Sequence, residues 1–293
     1  MLIGASSWAD RSLVRDGSFY PRPSMRAAER LAHYAGRLRL AEVTATRFFP
    51  PTPEQSRVWA ARTPPSFRFD VSAWGLFTGA ACHATSLWPD LMDEVRPEAR
   101  ERPRLYREHL SSDAVLESWV RFRTALEPLA DAGRLGVVTF RMAQWLKPGR
   151  TSIAILEEAR AALDGWAVAV ELPNRRWHEG DAAEDTLALL EDLDLALVCV
   201  DGARRSDRPD PLVAATADVA FVRFNGRRPG RWPWPWRYSQ AELESSVPTL
   251  EKLAEGCRDL HCVFSNTASD DAVCAALNLR DLIDPQPTQG TLF

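Results

Sequence analysis

Glu42 and Glu171 are the residues most suited to chemistry, because each carboxylate sits inside an apolar run, Ala-Glu-Val-Thr-Ala-Thr at 41–46 and Val-Glu-Leu at 170–172. Burying a carboxylate in such a run is costly unless an arginine, a hydroxyl or a ligand meets it. Arg141 and Arg223 lie at or near the ends of two further apolar runs, 135–141 and 219–224, and Asp201 closes another. Glu42, Glu171 and Asp201 are therefore the candidate catalytic residues for acid/base work, with Arg141 and Arg223 to hold an anionic substrate group. Glu42 and Glu171 would suit paired-carboxylate hydrolysis if their separation fell in the roughly 5 to 9.5 Å range that glycosidases use. A structural ion-pair network would need the same residues, so both readings stay open.

Motif chemistry is otherwise sparse. The chain contains no G-x-S-x-G, H-E-x-x-H, G-x-x-x-x-G-K-[ST] or G-x-G-x-x-G, so no cofactor is implied. Of five histidines only His83 and His178 follow candidate strands, too few for the inward histidines of a metal hydrolase, and no metal site is expected. The five cysteines, Cys82, Cys199, Cys257, Cys262 and Cys274, are odd in number and form no C-x-x-C. They read as buried thiols in a reducing compartment. No basic leader and no run of 18 apolar residues is present, which points to the cytoplasm and to no membrane contact.

Tryptophan placement adds a binding signal. Trp8, Trp74, Trp88, Trp145, Trp177, Trp232, Trp234 and Trp236 follow candidate strand ends, and a rim of that composition stacks sugars, nucleobases or other rings. Trp8, Trp177 and Trp234 are the candidate ligand-binding rings, although Trp8, Trp145 and Trp177 would equally serve as core plugging a barrel mouth. Trp232, Trp234 and Trp236 alternate with prolines in a loop bracketed by arginines.

The elements that must position these groups repeat. Candidate strands run over 2–8, 40–46, 67–73, 135–141, 167–172, 195–200, 219–224 and 261–266. Helical spacing follows over 25–38, 53–62, 113–132, 152–163, 183–193, weakly 210–216, 240–257 and 270–283. Eight strand-then-helix repeats without a linker predict an α/β protein built as a closed (β/α)8 TIM-type barrel rather than an open doubly wound sheet. The expected organisation is one barrel domain over 1–284, with a rim excursion at 74–112 after the third strand, and a flexible tail at 285–293. Strand parity would then gather Ser6, Trp8, Glu42, Thr44, Thr46, Asp70, Ser72, Trp74, Arg141, Glu171, Asp201, Arg223, Asn225 and Asn266 at the C-terminal mouth. Thr44, Asn225 and Asn266 join Arg141 and Arg223 as polar ligand-binding candidates.

Composition excludes more than it assigns. Hydrophobic residues at 45% and charged residues at 26% are ordinary for a globular chain, which removes the disordered and fibrous classes. With 36 basic and 40 acidic residues the net charge is −4, so any nucleic-acid contact would have to be local.

Taken in order, Ile-Gly-Ala-Ser-Ser-Trp at 3–8, Phe19-Tyr-Pro21, Ala-Glu-Val-Thr-Ala-Thr at 41–46, Pro51-x-Pro53-Glu54, Phe67-Arg-Phe69, Val170-Glu171, Val222-Arg-Phe-Asn-Gly226 and Val263-Phe-Ser-Asn266 resemble the YecE-like family, domain of unknown function 72. The resemblance runs almost end to end. It implies a TIM-type barrel related in shape to xylose isomerase and endonuclease IV, and it carries no settled activity. Glu42, Glu171, Asp201, Arg223, Gly226 and Asn266 match the family pattern. This chain departs from it at Thr44 (usually asparagine), Ser72 (lysine), Arg141 (glutamine), Pro173-Asn174 (arginine-histidine), Asn225 (histidine) and Ser265 (asparagine). Losing a lysine and two histidines removes the best proton-transfer groups, which points to a changed substrate or to binding without catalysis.

Three functions remain. One is a small-molecule enzyme of hydrolase or lyase type, with a pocket at the C-terminal face for an anionic or ring-containing ligand. The second is a DNA-associated accessory protein that binds single-stranded nucleic acid, docks on the sliding clamp, or both; the third is a non-catalytic ligand-binding barrel. The clamp reading rests on Gln289-Gly-Thr-Leu-Phe293, which resembles the Q-L-[SD]-L-F clamp peptide at Gln289, Leu292 and Phe293, with Gly290 in place of leucine. A tail that folds back on its own barrel is the alternative.

Overall fold

Eight short parallel strands close on themselves. In a computed structural model that describes residues 1–203, 211–228 and 235–285, β1 (Leu2–Ala5), β2 (Leu40–Val43), β3 (Arg68–Ser72), β6 (Leu135–Arg141), β7 (Ala167–Glu171), β8 (Ala196–Asp201), β9 (Val219–Phe224) and β10 (Asp259–Phe264) form the barrel. They follow one another around it in chain order, and β10 pairs back onto β1. The chain thus forms the expected closed (β/α)8 barrel. All eight strands overlap their predicted runs, and most are shorter at one end.

The helices α1 (Arg11–Asp16), α2 (Ala27–Ala35), α3 (Pro53–Ala61), α4 (Ser112–Asp131), α5 (Arg150–Ala162), α6 (Asp181–Asp192), α7 (Gln240–Glu255) and α8 (Asp271–Ile283) form the outer layer. Their starts are written in the sequence. Thr52 and Gln55 cap α3 reciprocally with Pro53 at its first position, Ser239 and Glu242 do the same for α7, and Ser111 caps α4. The short α1, begun by the Asp10 side chain accepting from Ser12 N, was not foreseen. The weak helix expected at 210–216 is absent from 211–216, and Asp210 lies outside the described residues. There Thr216 spends its hydroxyl on the start of the neighbouring strand, accepting from Leu197 N at 2.9 Å and donating to Leu195 O at 2.7 Å. That ties the segment to the sheet rather than to a helix of its own.

The excursion after β3 is made of 3-10 turns around a two-stranded antiparallel ribbon, β4 (Cys82–His83) with β5 (Arg104–Leu105). Two apolar cores result. One large cluster lies between the strands and the helices, and a smaller one of Leu40, Val137, Ala169, Ala196, Val198, Val219, Phe221 and Val263 fills the barrel itself. All five cysteines are free thiols, and among the described residues no helix is long and apolar enough to cross a membrane.

Candidate active site at the barrel mouth

Side chains alternate along a strand, so the residues two places beyond the inner cluster also face the lumen, one layer nearer the C-terminal mouth. These are Glu42 after Leu40, Thr139 after Val137, Glu171 after Ala169, Arg223 after Phe221 and Ser265 after Val263. Arg223 on β9 and Glu42 on β2 come from strands three apart around the barrel, and the guanidinium crosses the lumen. Its Nη1 donates to Glu42 Oε2 at 2.5 Å and its Nη2 to Oε1 at 2.8 Å. Glu42 Oε1 also accepts from Thr139 Oγ1 at 2.7 Å and Ser72 Oγ at 3.2 Å, and Arg223 Nη1 from its other side reaches Ser265 Oγ at 3.1 Å.

Glu171 is held less well. Its Oε1 lies 3.0 Å from Arg141 Nε and its Oε2 lies 3.1 Å from Arg223 Nε. Neither Glu171 Oε2 nor Arg223 Nε makes an aligned hydrogen bond, although both atoms are buried. Burial pushes Glu42 toward protonation, but Arg223 and the two hydroxyls outweigh it and hold the carboxyl below its usual range. The same pairing works in reverse on Arg223, where burial is outweighed by Glu42 and then Glu171, and the guanidinium is held charged.

A third arginine completes the mouth. Beyond β2 the chain turns through a 3-10 segment, Thr44–Arg47, which leaves Arg47 within electrostatic reach of Glu171 and Glu42. Burial weakens its hold on its proton; Arg141 and then Arg223 repel it, while Glu171 and Glu42 attract it. Arg141 and Arg223 have carboxylate partners, whereas Arg47 makes no ion pair or hydrogen bond among the described residues.

Residues 2–291 match the family model described as protein of unknown function DUF72. The chain belongs to the DUF72 family. It is similar to the UPF0759 protein YunF of Bacillus subtilis (strain 168), with 23% identity over 310 aligned positions that cover 99% of each protein. Among solved structures it is similar to a DUF72 family protein of Enterococcus faecalis V583, with a TM-score of 0.75, 18% identity and coverage of 97% of this chain and 98% of that one. A DUF72 family protein of Thermotoga maritima MSB8 gives a TM-score of 0.71 and 20% identity over 97% and 99%. At these identities the likeness shows the fold.

Of the residues expected at the mouth of this DUF72 barrel, Glu42, Glu171, Arg141 and Arg223 are brought together. Thr44 is at the rim with its hydroxyl 3.5 Å from Ser6 O, and Asn225 lies half-buried just past β9. Asp201 does not join them. It shares a face with Cys199 of the outer cluster, and it accepts from Arg227 Nε at 3.0 Å, Arg227 Nη2 at 2.6 Å and Tyr238 Oη at 2.9 Å. Asn266 likewise faces outward and donates to Trp236 O at 2.6 Å, pinning that loop. Trp8 is buried edge-on to Trp59 and Phe69, and Trp177 is buried with its Nε1 donating to Leu146 O at 2.9 Å. Both fill the layer around the barrel instead of presenting a face to the mouth. Trp234, Gln289, Leu292 and Phe293 lie outside the described residues.

Three contributors escaped the sequence reading. Thr139 follows from the parity that selected Arg141 and was overlooked because a hydroxyl in an apolar strand carries little signal, whereas Ser265 was excluded by the parity that placed its neighbour Asn266 inward. Arg47 had no signal in strand parity, since it is the turn after β2 that aims it inward. Deeper in the lumen, His261 Nδ1 sits 2.9 Å from Asp70 Oδ1, which also accepts from Val137 N at 2.8 Å. No group of three or more histidine, cysteine or acidic side chains is placed to hold a metal ion among the described residues.

Proposed function

We propose that the C-terminal mouth of this DUF72 barrel is a small-molecule site for an anionic ligand, received between Arg47 and Arg141 above the Glu42–Arg223–Glu171 floor. The observation that carries this is Arg47, a half-buried guanidinium beside two other arginines and without a carboxylate or carbonyl partner among the described residues. A cation in that position raises the energy of the empty site, and an anion relieves it through charge-assisted hydrogen bonds. Arg141, whose side chain is 53% exposed, is accessible to the same ligand.

Any turnover at this site is of the hydrolase or lyase type, with Glu171 as the proton-transfer group. Glu42 is a poor general base there because both its oxygens are spent and its carboxyl is held ionised. It acts as a positioning residue that fixes Arg223. The test is calorimetric titration with inorganic phosphate, sulfate and malonate at low chloride. Binding weakened at least tenfold in both Arg47→Ala and Arg141→Ala is expected; wild-type protein that takes up none of the three anions would overturn the reading.

A further inference from the structure

We infer that the anion bound at the mouth carries a planar ring, making its class an aryl or heteroaryl phosphate or carboxylate; this rests on the anion-binding reading above. Three large aromatic side chains are exposed among the described residues, Phe48 at 53%, Phe49 at 51% and Trp145 at 60%, and all three belong to one quadrant of the C-terminal rim. Phe48 and Phe49 directly follow Arg47, and Trp145 is four residues past Arg141. The strands behind them, β2 and β6, flank β3, so both arginines and all three rings border the end of a single strand, at Ser72.

The quadrant is also braced. Phe49 lies parallel to His83 with centroids 6.0 Å apart and an interplanar angle of 5°, and Trp145 meets Tyr106 edge-on at 6.2 Å. His83 belongs to β4 and Tyr106 directly follows β5, so the excursion's ribbon is tied by one ring contact to the β2 loop and by the other to the β6 loop. Ordinary packing would bury such rings, as it buries Trp74, Phe77 and Phe122 nearby. Exposed rings braced in the same two loops that follow Arg47 and Arg141 match a ligand with a flat apolar part and an anionic end. Charge alone would be served by the arginines without them.

Phenyl phosphate, methyl phosphate and inorganic phosphate separate the two parts of the ligand. Wild-type protein is expected to bind phenyl phosphate about tenfold more tightly than methyl phosphate, in line with ring stacking on exposed aromatics. The Phe49→Ala and Trp145→Ala variants, both at exposed positions, should lower phenyl phosphate toward the methyl phosphate level and leave methyl phosphate unchanged. Equal affinity for the two esters in wild type overturns the ring inference while the anion site stands. A phenyl preference that survives when Phe49→Ala and Trp145→Ala are combined overturns the assignment to this quadrant. Failure of all three probes removes the anion site and this inference with it.

Discussion

Replacing Glu42 with glutamine tests whether the floor of the mouth is held by charge. The carboxylate receives four hydrogen bonds, two from Arg223 and one each from Thr139 and Ser72, at a position with no solvent exposure. Glutamine keeps one acceptor oxygen but turns an N–H toward an Arg223 N–H, and the buried guanidinium retains as its carboxylate partner only the unaligned contact with Glu171. Breaking a buried pair from one side costs about 3–5 kcal/mol. With a urea m-value of about 3 kcal/mol/M, the unfolding midpoint should fall by about 1 M or more at pH 7. Because the folded carboxyl is held below its unfolded value, its stabilisation is complete above the unfolded value of about 4.3 and fades as pH falls through the folded one. Wild type and Glu42→Gln should therefore converge in stability under acid. A midpoint change worth less than about 1 kcal/mol at pH 7, or an undiminished difference at low pH, would refute the reasoning. Should the single variant not accumulate, the Glu42→Gln/Arg223→Met pair removes both charges and should recover most of the loss.

Two further outcomes follow from the same geometry. Arg47→Ala should leave the ligand-free protein as stable as wild type or raise its melting temperature by about 1–3 °C, because burial and repulsion by Arg141 and Arg223 outweigh the attraction of Glu171 and Glu42, and the arginine has no partner among the described residues; differential scanning calorimetry measures this, and a clear loss of stability would mean that Arg47 is structural. Tyr238→Phe removes the hydrogen bond donated to Asp201 and the one accepted from Gly226 N, and should cost about 1–3 kcal/mol in urea unfolding without changing anion affinity. A coupled loss of affinity would return Asp201 to the ligand site.

Where sequence was enough, periodicity and local chemistry agreed. The strand 135–141, with Leu-Gly-Val-Val-Thr-Phe-Arg, matches its predicted bounds, and α3 begins where Thr52-Pro53 says it must. The barrel followed from eight strand runs that each overlap an observed strand, with helices between most of them. The site was legible for residues that a regular strand aims inward, which covers Glu42, Arg141, Glu171 and Arg223. It was not legible at strand ends or past them. Parity extended to Asp201 and Asn266 gave the wrong face, since each shares a side with outer-cluster residues, Cys199 and Phe264. Trp8 and Trp177 were placed by position after a strand, yet where a ring packs depends on the turn that carries it. Arg47 fails for the same reason in the opposite direction.

The division of labour between the two glutamates follows from how a guanidinium is built. Its N–H groups lie in one plane, and Glu42 takes the Nη1–Nη2 pair in a two-point bond across the lumen. Only Nε remains for Glu171, at 3.1 Å and out of line, so the second carboxylate depends on Arg141 for its other oxygen. Arg141 is half exposed while Glu171 is buried, so the proposed anion would compete for the outer partner and leave the inner pair in place. Under that proposal ligand binding and Glu171 would be coupled through Arg141, whereas Glu42 and Arg223 keep their two-point bond. A site arranged in this way would change the partners of one carboxylate on binding while the strands that carry it keep their register, and replacing Arg141 with glutamine, which has no charge to compete for, would remove that coupling.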